Sequence, residues 1–250
     1  MNTILDSIYS NKDMQEAVKT LVMNIKFASI DKPGHSLVIT STTPGEGKST
    51  VAACLARALC DNHTTCLLVE NDFRRPRLRK ILGGTDAAGL SDVLFNNVST
   101  DQVIQETNAD GFFFLNSGRK INSPIEVLSS KRYAELVEEL KGMFDFVIFD
   151  SPPVGMFVDS AVIAPLTDGV LFVVKAGKVN AKEAKDALEQ LNKANAHIIG
   201  TVLNGSEISE TYSYYGSKYY YSKYHYYSYD DAAPQRGARH HKSSKKKAST

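Results

Sequence analysis

Lys48 follows two glycines, Gly45 and Gly47, and precedes Ser49 and Thr50. Those types at that spacing can hold a phosphate. Glycines let backbone N–H groups curl around an anion, a lysine adds a mobile positive charge, and the adjacent hydroxyl can ligate Mg²⁺. The stretch Thr43, Pro44, Gly45, Glu46, Gly47, Lys48, Ser49, Thr50 therefore reads as a nucleotide-phosphate cradle. Thr42 occupies the first glycine position of the G-x-x-x-x-G-K-[ST] pattern, so the loop is a variant. Acids follow further on. Asp72 closes the run Cys66-Leu67-Leu68-Val69-Glu70-Asn71-Asp72, and Asp150 closes Phe146-Val147-Ile148-Phe149-Asp150. A lone Asp after a strand is often only a cap or turn former. Two such strands beside a phosphate loop point instead to carboxylates that hold Mg²⁺, with Ser49, Asp72 and Asp150 as the metal set.

For these residues to meet, elements must carry them to one edge. Apolar strand-like runs (Leu37–Thr40, Cys66–Val69, Phe112–Leu115, Phe146–Phe149, Val162–Leu166, Val170–Val174, Ile198–Leu203) alternate with helical patterns. That alternation predicts an α/β fold, a mostly parallel sheet with helices on both faces, whose ligands bind beyond the carboxyl ends of the strands. Ile198–Leu203 reads as a further buried strand. It ends at Asn204, either a turn residue or an amide for the nucleotide base. After Asp72 comes the basic run Arg74, Arg75, Arg77, Arg79, Lys80. It is a solvated helix face, or a set of cations for phosphoryl oxygens or an acidic or phosphorylated partner segment.

Three regions follow. Residues 1–35 hold a helical extension (Met14, Val18, Leu21, Val22, Ile25 on one face), 36–206 the phosphate-loop domain, and 207–250 a low-complexity tail. Ten of the twelve tyrosines lie in that tail: Tyr212, Tyr214, Tyr215, Tyr219, Tyr220, Tyr221, Tyr224, Tyr226, Tyr227 and Tyr229. They lack the aliphatic partners of a core segment and read as exposed acceptor hydroxyls or as a sticky segment. The acid-free basic run 236–247 follows.

Composition removes several classes. The 250 residues carry 29 Lys and Arg against 28 Asp and Glu, so no global charge draws the chain to nucleic acid. No run reaches the roughly 20 apolar residues of a membrane span, and no signal-peptide layout opens the chain, so a cytoplasmic protein is expected. Cys54, Cys60 and Cys66 form no C-x-x-C pair and read as core thiols rather than a metal or redox site.

Taken together, TTPGEGKST at 42–50, LLVENDFRRP at 67–76, FDFVIFDSPP at 144–153, Asn204 and the tyrosine cluster resemble the bacterial tyrosine kinases of capsule and exopolysaccharide clusters, in their single-chain Gram-positive form. The first three motifs are shared with MinD/ParA-like ATPases; the tyrosine cluster is the kinase mark. The resemblance implies Mg²⁺-ATP as phosphoryl donor and autophosphorylation of the tail between subunits. It also implies a homo-oligomer, possibly a ring, a transmembrane co-polymerase-type adaptor that activates the kinase and recruits it to the inner face of the membrane, and a cognate tyrosine phosphatase. By position, Lys48 and Ser49 belong to Walker A, Glu70 and Asp72 to Walker A′ and Asp150 to Walker B, which makes Lys48, Glu70, Asp72 and Asp150 the catalytic set, with Glu70 or Asp72 as base. Two positions depart from the family. Glu70 stands where Asp is usual, and Glu16, Lys19 and Val22 stand at the interface-helix pattern E-x-x-R-x-x-R. The rival reading is a MinD/ParA-like ATPase switch. Against it, no extra lysine stands at positions 42 or 43 and no amphipathic membrane-targeting helix closes the chain. A non-enzymatic adaptor would leave Lys48, Asp72 and Asp150 unexplained.

Overall fold

The computed structural model describes residues 3–28, 35–61, 64–85, 87–96 and 98–206. The tyrosines at 212–229 and the basic run at 236–247 lie outside the described residues.

In chain order the elements are α1 (Ile4–Tyr9), α2 (Lys12–Ala28), β1 (Ser36–Ser41), α3 (Lys48–Cys60), β2 (Cys66–Glu70), α4 (Leu78–Leu82), α5 (Leu90–Asn96), α6 (Thr100–Val103), β3 (Gln105–Glu106), β4 (Phe112–Leu115), α7 (Pro124–Leu128), α8 (Lys131–Met143), β5 (Phe146–Asp150), α9 (Asp159–Ile163), β6 (Gly169–Lys175), α10 (Ala181–Lys193) and β7 (Ile198–Asn204). The strands form one seven-stranded sheet in the order β3-β4-β2-β5-β1-β6-β7. Every pairing is parallel except the short edge pair of β3 with β4. β1 lies inside the sheet, between β5 and β6, because its residues are apolar on both faces. Val38 and Ile39 are wholly buried, each worth roughly 1.5–3 kcal/mol of transfer free energy. The two faces feed two cores, one around α3 and one around α8.

The architecture is the expected P-loop NTPase-like sheet, with two local corrections. Val162–Leu166 is not a strand. The run belongs to α9 and a 3-10 turn at Ala164–Leu166, which Pro165 opens; a short apolar run has no period to separate strand from helix, and Pro cannot donate to a ladder. Nor is β7 fully buried. It pairs only with β6, so alternate residues face outward and Leu203 is 59% exposed.

The N-terminal helices join the first core. Thr3 and Asp6 close a capping box on α1, and Tyr9 donates its hydroxyl to Asp61 at 2.6 Å. On α2, Val18, Val22 and Ile25 are buried while Glu16, Lys19 and Lys26 face outward, as the helical spacing predicts. Val22, at an Arg position of the family pattern, is thus spent on packing. Cys54, Cys60 and Cys66 are buried free thiols.

Candidate active site

The loop between β1 and α3 takes its shape from two glycines in the left-handed region, Gly45 at φ 79° and Gly47 at φ 95°. Gly47 caps α3 without a side chain, so the first amides of the helix are left for an anion rather than satisfied internally. Three supports hold the loop from behind. The Glu46 carboxylate, fully buried, accepts from the Thr43 amide, from Thr43 Oγ1 at 3.1 Å and from the Lys175 amide at 3.1 Å. Asn204 donates Nδ2 to the Glu46 carbonyl at 2.8 Å, and a side chain at Gly47 would collide with that amide. Lys178 donates to the Pro44 carbonyl. Thr43 and Glu46 therefore shape the cradle from its inner side, and what they offer a ligand is backbone.

Lys48 is the hub. Its Nζ lies 3.2 Å from Asp72 Oδ2, 3.5 Å from Asp150 Oδ1 and 3.4 Å from Ser49 Oγ, all at buried or nearly buried residues. Burial works against the ammonium, but the carboxylates of Asp150 and Asp72 overcome it and hold its pKa above the ordinary lysine value. Burial likewise pushes the Asp150 carboxyl up to about 6, with the Lys48 charge opposing. Asp150 Oδ2 and Thr42 Oγ1 are buried and have no hydrogen-bond partner among the described residues. An orphaned carboxylate oxygen beside Ser49 Oγ and Asp72 is the oxygen-only set that a small hard cation accepts, and Mg²⁺ needs few protein ligands. The residues present fit that ion.

The strand-end acids serve differently. Asp72 turns Oδ1 to the amides of Arg74 (3.1 Å) and Arg75 (2.9 Å), leaving Oδ2 for Lys48. Glu70 faces the other way: Oε1 accepts from the Leu78 amide at 2.6 Å, and Oε2 from the amide and hydroxyl of Ser117 at 3.4 and 3.3 Å. So the structure brings together Gly45, Gly47, Lys48, Ser49, Thr50, Asp72 and Asp150, places Asn204 against the loop's Glu46 carbonyl, and leaves the Glu70 carboxylate outside the cluster.

Sequence reasoning missed the buttresses. Asp159, 1% exposed, takes the Arg74 guanidinium at 3.1 and 3.2 Å, and Arg74 lies 4.2 Å over the Phe157 ring. Ser160 donates to the Pro152 carbonyl at 2.6 Å, within 2.8 Å of Thr40 Oγ1 and 3.0 Å of Ser151 Oγ, fixing the turn after β5. No local pattern announces either residue; both lie just ahead of the run 162–166 that the hydropathy reading takes for a strand. The loops enclose a cavity of about 410 Å³, from the phosphate loop outward past Asp72 to Arg75, Arg77 and Lys80.

A glycine loop, a helix N-terminus, a lysine, a hydroxyl and two carboxylates at the carboxyl edge of a parallel sheet define a P-loop nucleotide-binding protein. Residues 35–203 match the AAA domain family, in agreement. The relatives narrow this. The chain is 36% identical over 205 residues to the tyrosine-protein kinase YwqD of Bacillus subtilis, covering 81% of this chain and 86% of that one. The kinase domain of the Escherichia coli tyrosine kinase ETK superposes with a TM-score of 0.72 at 28% identity, over 78% of each chain. MinD from Pyrococcus horikoshii superposes less well, with a TM-score of 0.60 at 25% identity over 70% and 72%. The chain belongs to the bacterial tyrosine-protein kinases.

Proposed function

We propose that this chain transfers the γ-phosphoryl group of ATP to tyrosine hydroxyls, its own cluster from Tyr212 to Tyr229 foremost, and thereby regulates exopolysaccharide or capsule synthesis and export. The observation that carries the reading is the Lys48 ammonium held between Asp72 and Asp150 at the mouth of a cradle of free amides. The backbone from Gly45 to Thr50 would bind the phosphates, and Lys48 would leave its two carboxylates to neutralise the transferring group. Ser49, Asp72 and Asp150 would hold Mg²⁺, which supplies charge neutralisation across the phosphate oxygens. A tyrosine hydroxyl keeps its proton at neutral pH, so a carboxylate must orient or accept it. The geometry favours Asp72, which lines the cavity and pairs through Oδ2 with Lys48, over Glu70, whose oxygens are engaged elsewhere. Asn204, whose Nδ2 donates to the Glu46 carbonyl of the loop, would offer its remaining amide oxygen to the base.

Activation by a membrane-spanning adaptor, reversal by a phosphatase and self-assembly are parts of the same proposal. Among the described residues no helix is long and apolar enough to cross a membrane, so recruitment would fall to such a partner. Intact mass of the full chain after incubation with Mg²⁺-ATP tests the reading. Successive phosphate additions in the wild type, absent from Lys48→Met and from a variant with the ten tail tyrosines changed to Phe, are expected. ATP hydrolysis without any phosphate gained would favour the ATPase switch that the MinD likeness keeps in view.

A further inference from the structure

Part of the cavity's lining lies outside the phosphate loop. The cavity's inner end is the phosphate loop; its outer end is lined by Arg75, Arg77 and Lys80, with Ile4, Met156 and Phe157 forming an apolar wall. Ile4 is 44% and Met156 56% exposed, so both present apolar surface to whatever enters. Neighbouring cations differ in their commitments. Arg74 is bound to buried Asp159 and stacked on Phe157, whereas Arg75, Arg77 and Lys80 are exposed and have no ion-pair partner among the described residues. They are nevertheless held in place. Asp72 fixes the Arg75 amide, and Glu70 fixes the Leu78 amide at the start of α4, setting Arg77 and Lys80 on either side of buried Leu78. Among the described residues Asp72 is the one carboxylate lining this cavity, and Lys48 already answers its Oδ2.

An apolar wall edged by three exposed cations, beside the proposed place of phosphoryl transfer, suits a ring that carries a phosphate. We infer that this outer half is a phosphotyrosine subsite: Arg75, Arg77 and Lys80 hold a tyrosine that has already been phosphorylated while a near neighbour in sequence enters the transfer position. The inference rests on the tyrosine-kinase reading and deepens it. The acceptor sequence has the necessary spacing, with Tyr214-Tyr215, Tyr219-Tyr220-Tyr221 and Tyr226-Tyr227 adjacent, so each tail tyrosine has another within about 7 Å of chain. Charge favours the modified form as well. Between Glu207 and Asp231 the segment carries Glu207, Glu210, Asp230 and Asp231 against Lys218 and Lys223, a weak negative charge to which each phosphate adds nearly two more. Arg grips such a group bidentately. The transfer itself is unchanged. The tyrosine Oη–Pγ bond forms, the bond from Pγ to the bridging oxygen of ADP breaks, and the phenolic proton passes to the carboxylate; the held phosphotyrosine is not consumed.

The test uses the full chain and synthetic peptides spanning residues 213–229, one unmodified, one with phosphotyrosine at position 220 and one with Phe there. The phosphorylated peptide is expected to be a substrate about tenfold better in kcat/KM, equivalent to about 1.4 kcal/mol. That ratio is expected to fall to near one in the triple variant Arg75→Gln, Arg77→Gln, Lys80→Gln, whatever the absolute rates. Anisotropy of the labelled peptides should show the same preference without ATP. Equal use of the two peptides by the wild type, or a preference that survives the triple variant, overturns the inference. A short RNA that displaces the phosphopeptide as readily as excess phosphotyrosine does so too, because it would mean a generic cationic patch. Should neither peptide be phosphorylated while the anisotropy preference stands and is lost in the triple variant, the kinase reading fails and the subsite remains.

Discussion

The ends of β2 and β5 lie side by side, with Glu70 directly opposite Asp150 in the ladder, and both residues are 1% exposed. Their carboxylates nonetheless live differently. Glu70 is surrounded by neutral donors, the Leu78 amide and Ser117, and is a brace between α4 and the turn after β4. Asp150 has a cation on one oxygen and, among the described residues, no hydrogen-bond donor within reach of the other. Position in a fold therefore does not assign chemistry to a buried acid; its partners do. A carboxylate satisfied by amides stabilises, and one left incomplete awaits something that arrives later.

The largest break in that comparison is Lys48→Met, which strips the β5 end of its charge partner and, on the proposed mechanism, would strip the phosphates of theirs. Tyrosine phosphorylation is expected to fall about 10²–10³-fold, read as the initial rate of phosphate incorporation. A retained rate would remove the hub from the mechanism.

Asp150→Asn comes next, and it separates activity from stability. Transfer should drop by about 10²-fold. In protein free of metal and nucleotide, burial raises the Asp150 pKa from 3.8 to about 6, so its favourable protonated form is complete below the unfolded pKa and lost as pH rises through the folded one. Urea midpoints measured between about pH 4 and about pH 7 should therefore decline less in the Asn variant than in the wild type. An unchanged decline would show that Asp150 is not the strained acid.

Glu70→Gln tests the other strand end. Loss of a buried acceptor for the Leu78 amide or Ser117 should cost about 1–3 kcal/mol in chemical denaturation, while transfer stays within about tenfold of wild type. If transfer collapses and stability does not, the roles of Glu70 and Asp72 are reversed. The smallest effect belongs to Ser160→Ala behind the β5 turn, about 1 kcal/mol in the same denaturation curve.

Much of this was legible beforehand. The phosphate loop declares itself through Gly45, Gly47 and Lys48, and the strands ending at Glu70 and Asp150 through unbroken apolar runs that only a two-faced parallel sheet requires. Less visible were contacts between residues far apart in the chain. Ser117 meets Glu70 and Asp159 meets Arg74 across 47 and 85 positions, and no periodicity encodes such encounters. Glu46 illustrates a different blindness: it sits inside the motif, yet its side chain turns inward because the Lys175 amide at the end of β6 needs an acceptor. The capping box at Thr3 and Asp6 was open to detection, since its spacing is a sequence signature, but Met1 to Asn11 has no helical period long enough to prompt a search.

Leu5 and Tyr9 of α1, and Val18, Val22 and Ile25 of α2, are buried in the same cluster as Leu55 and Leu59 of α3, the helix whose first turn is the phosphate loop. Anyone trimming this protein to its recognisable motifs would cut ahead of Ser36, where the sheet begins. That cut would turn the back of α3 into an oily surface and leave Asp61 without its tyrosine hydroxyl. The shortest chain worth expressing begins no later than Thr3.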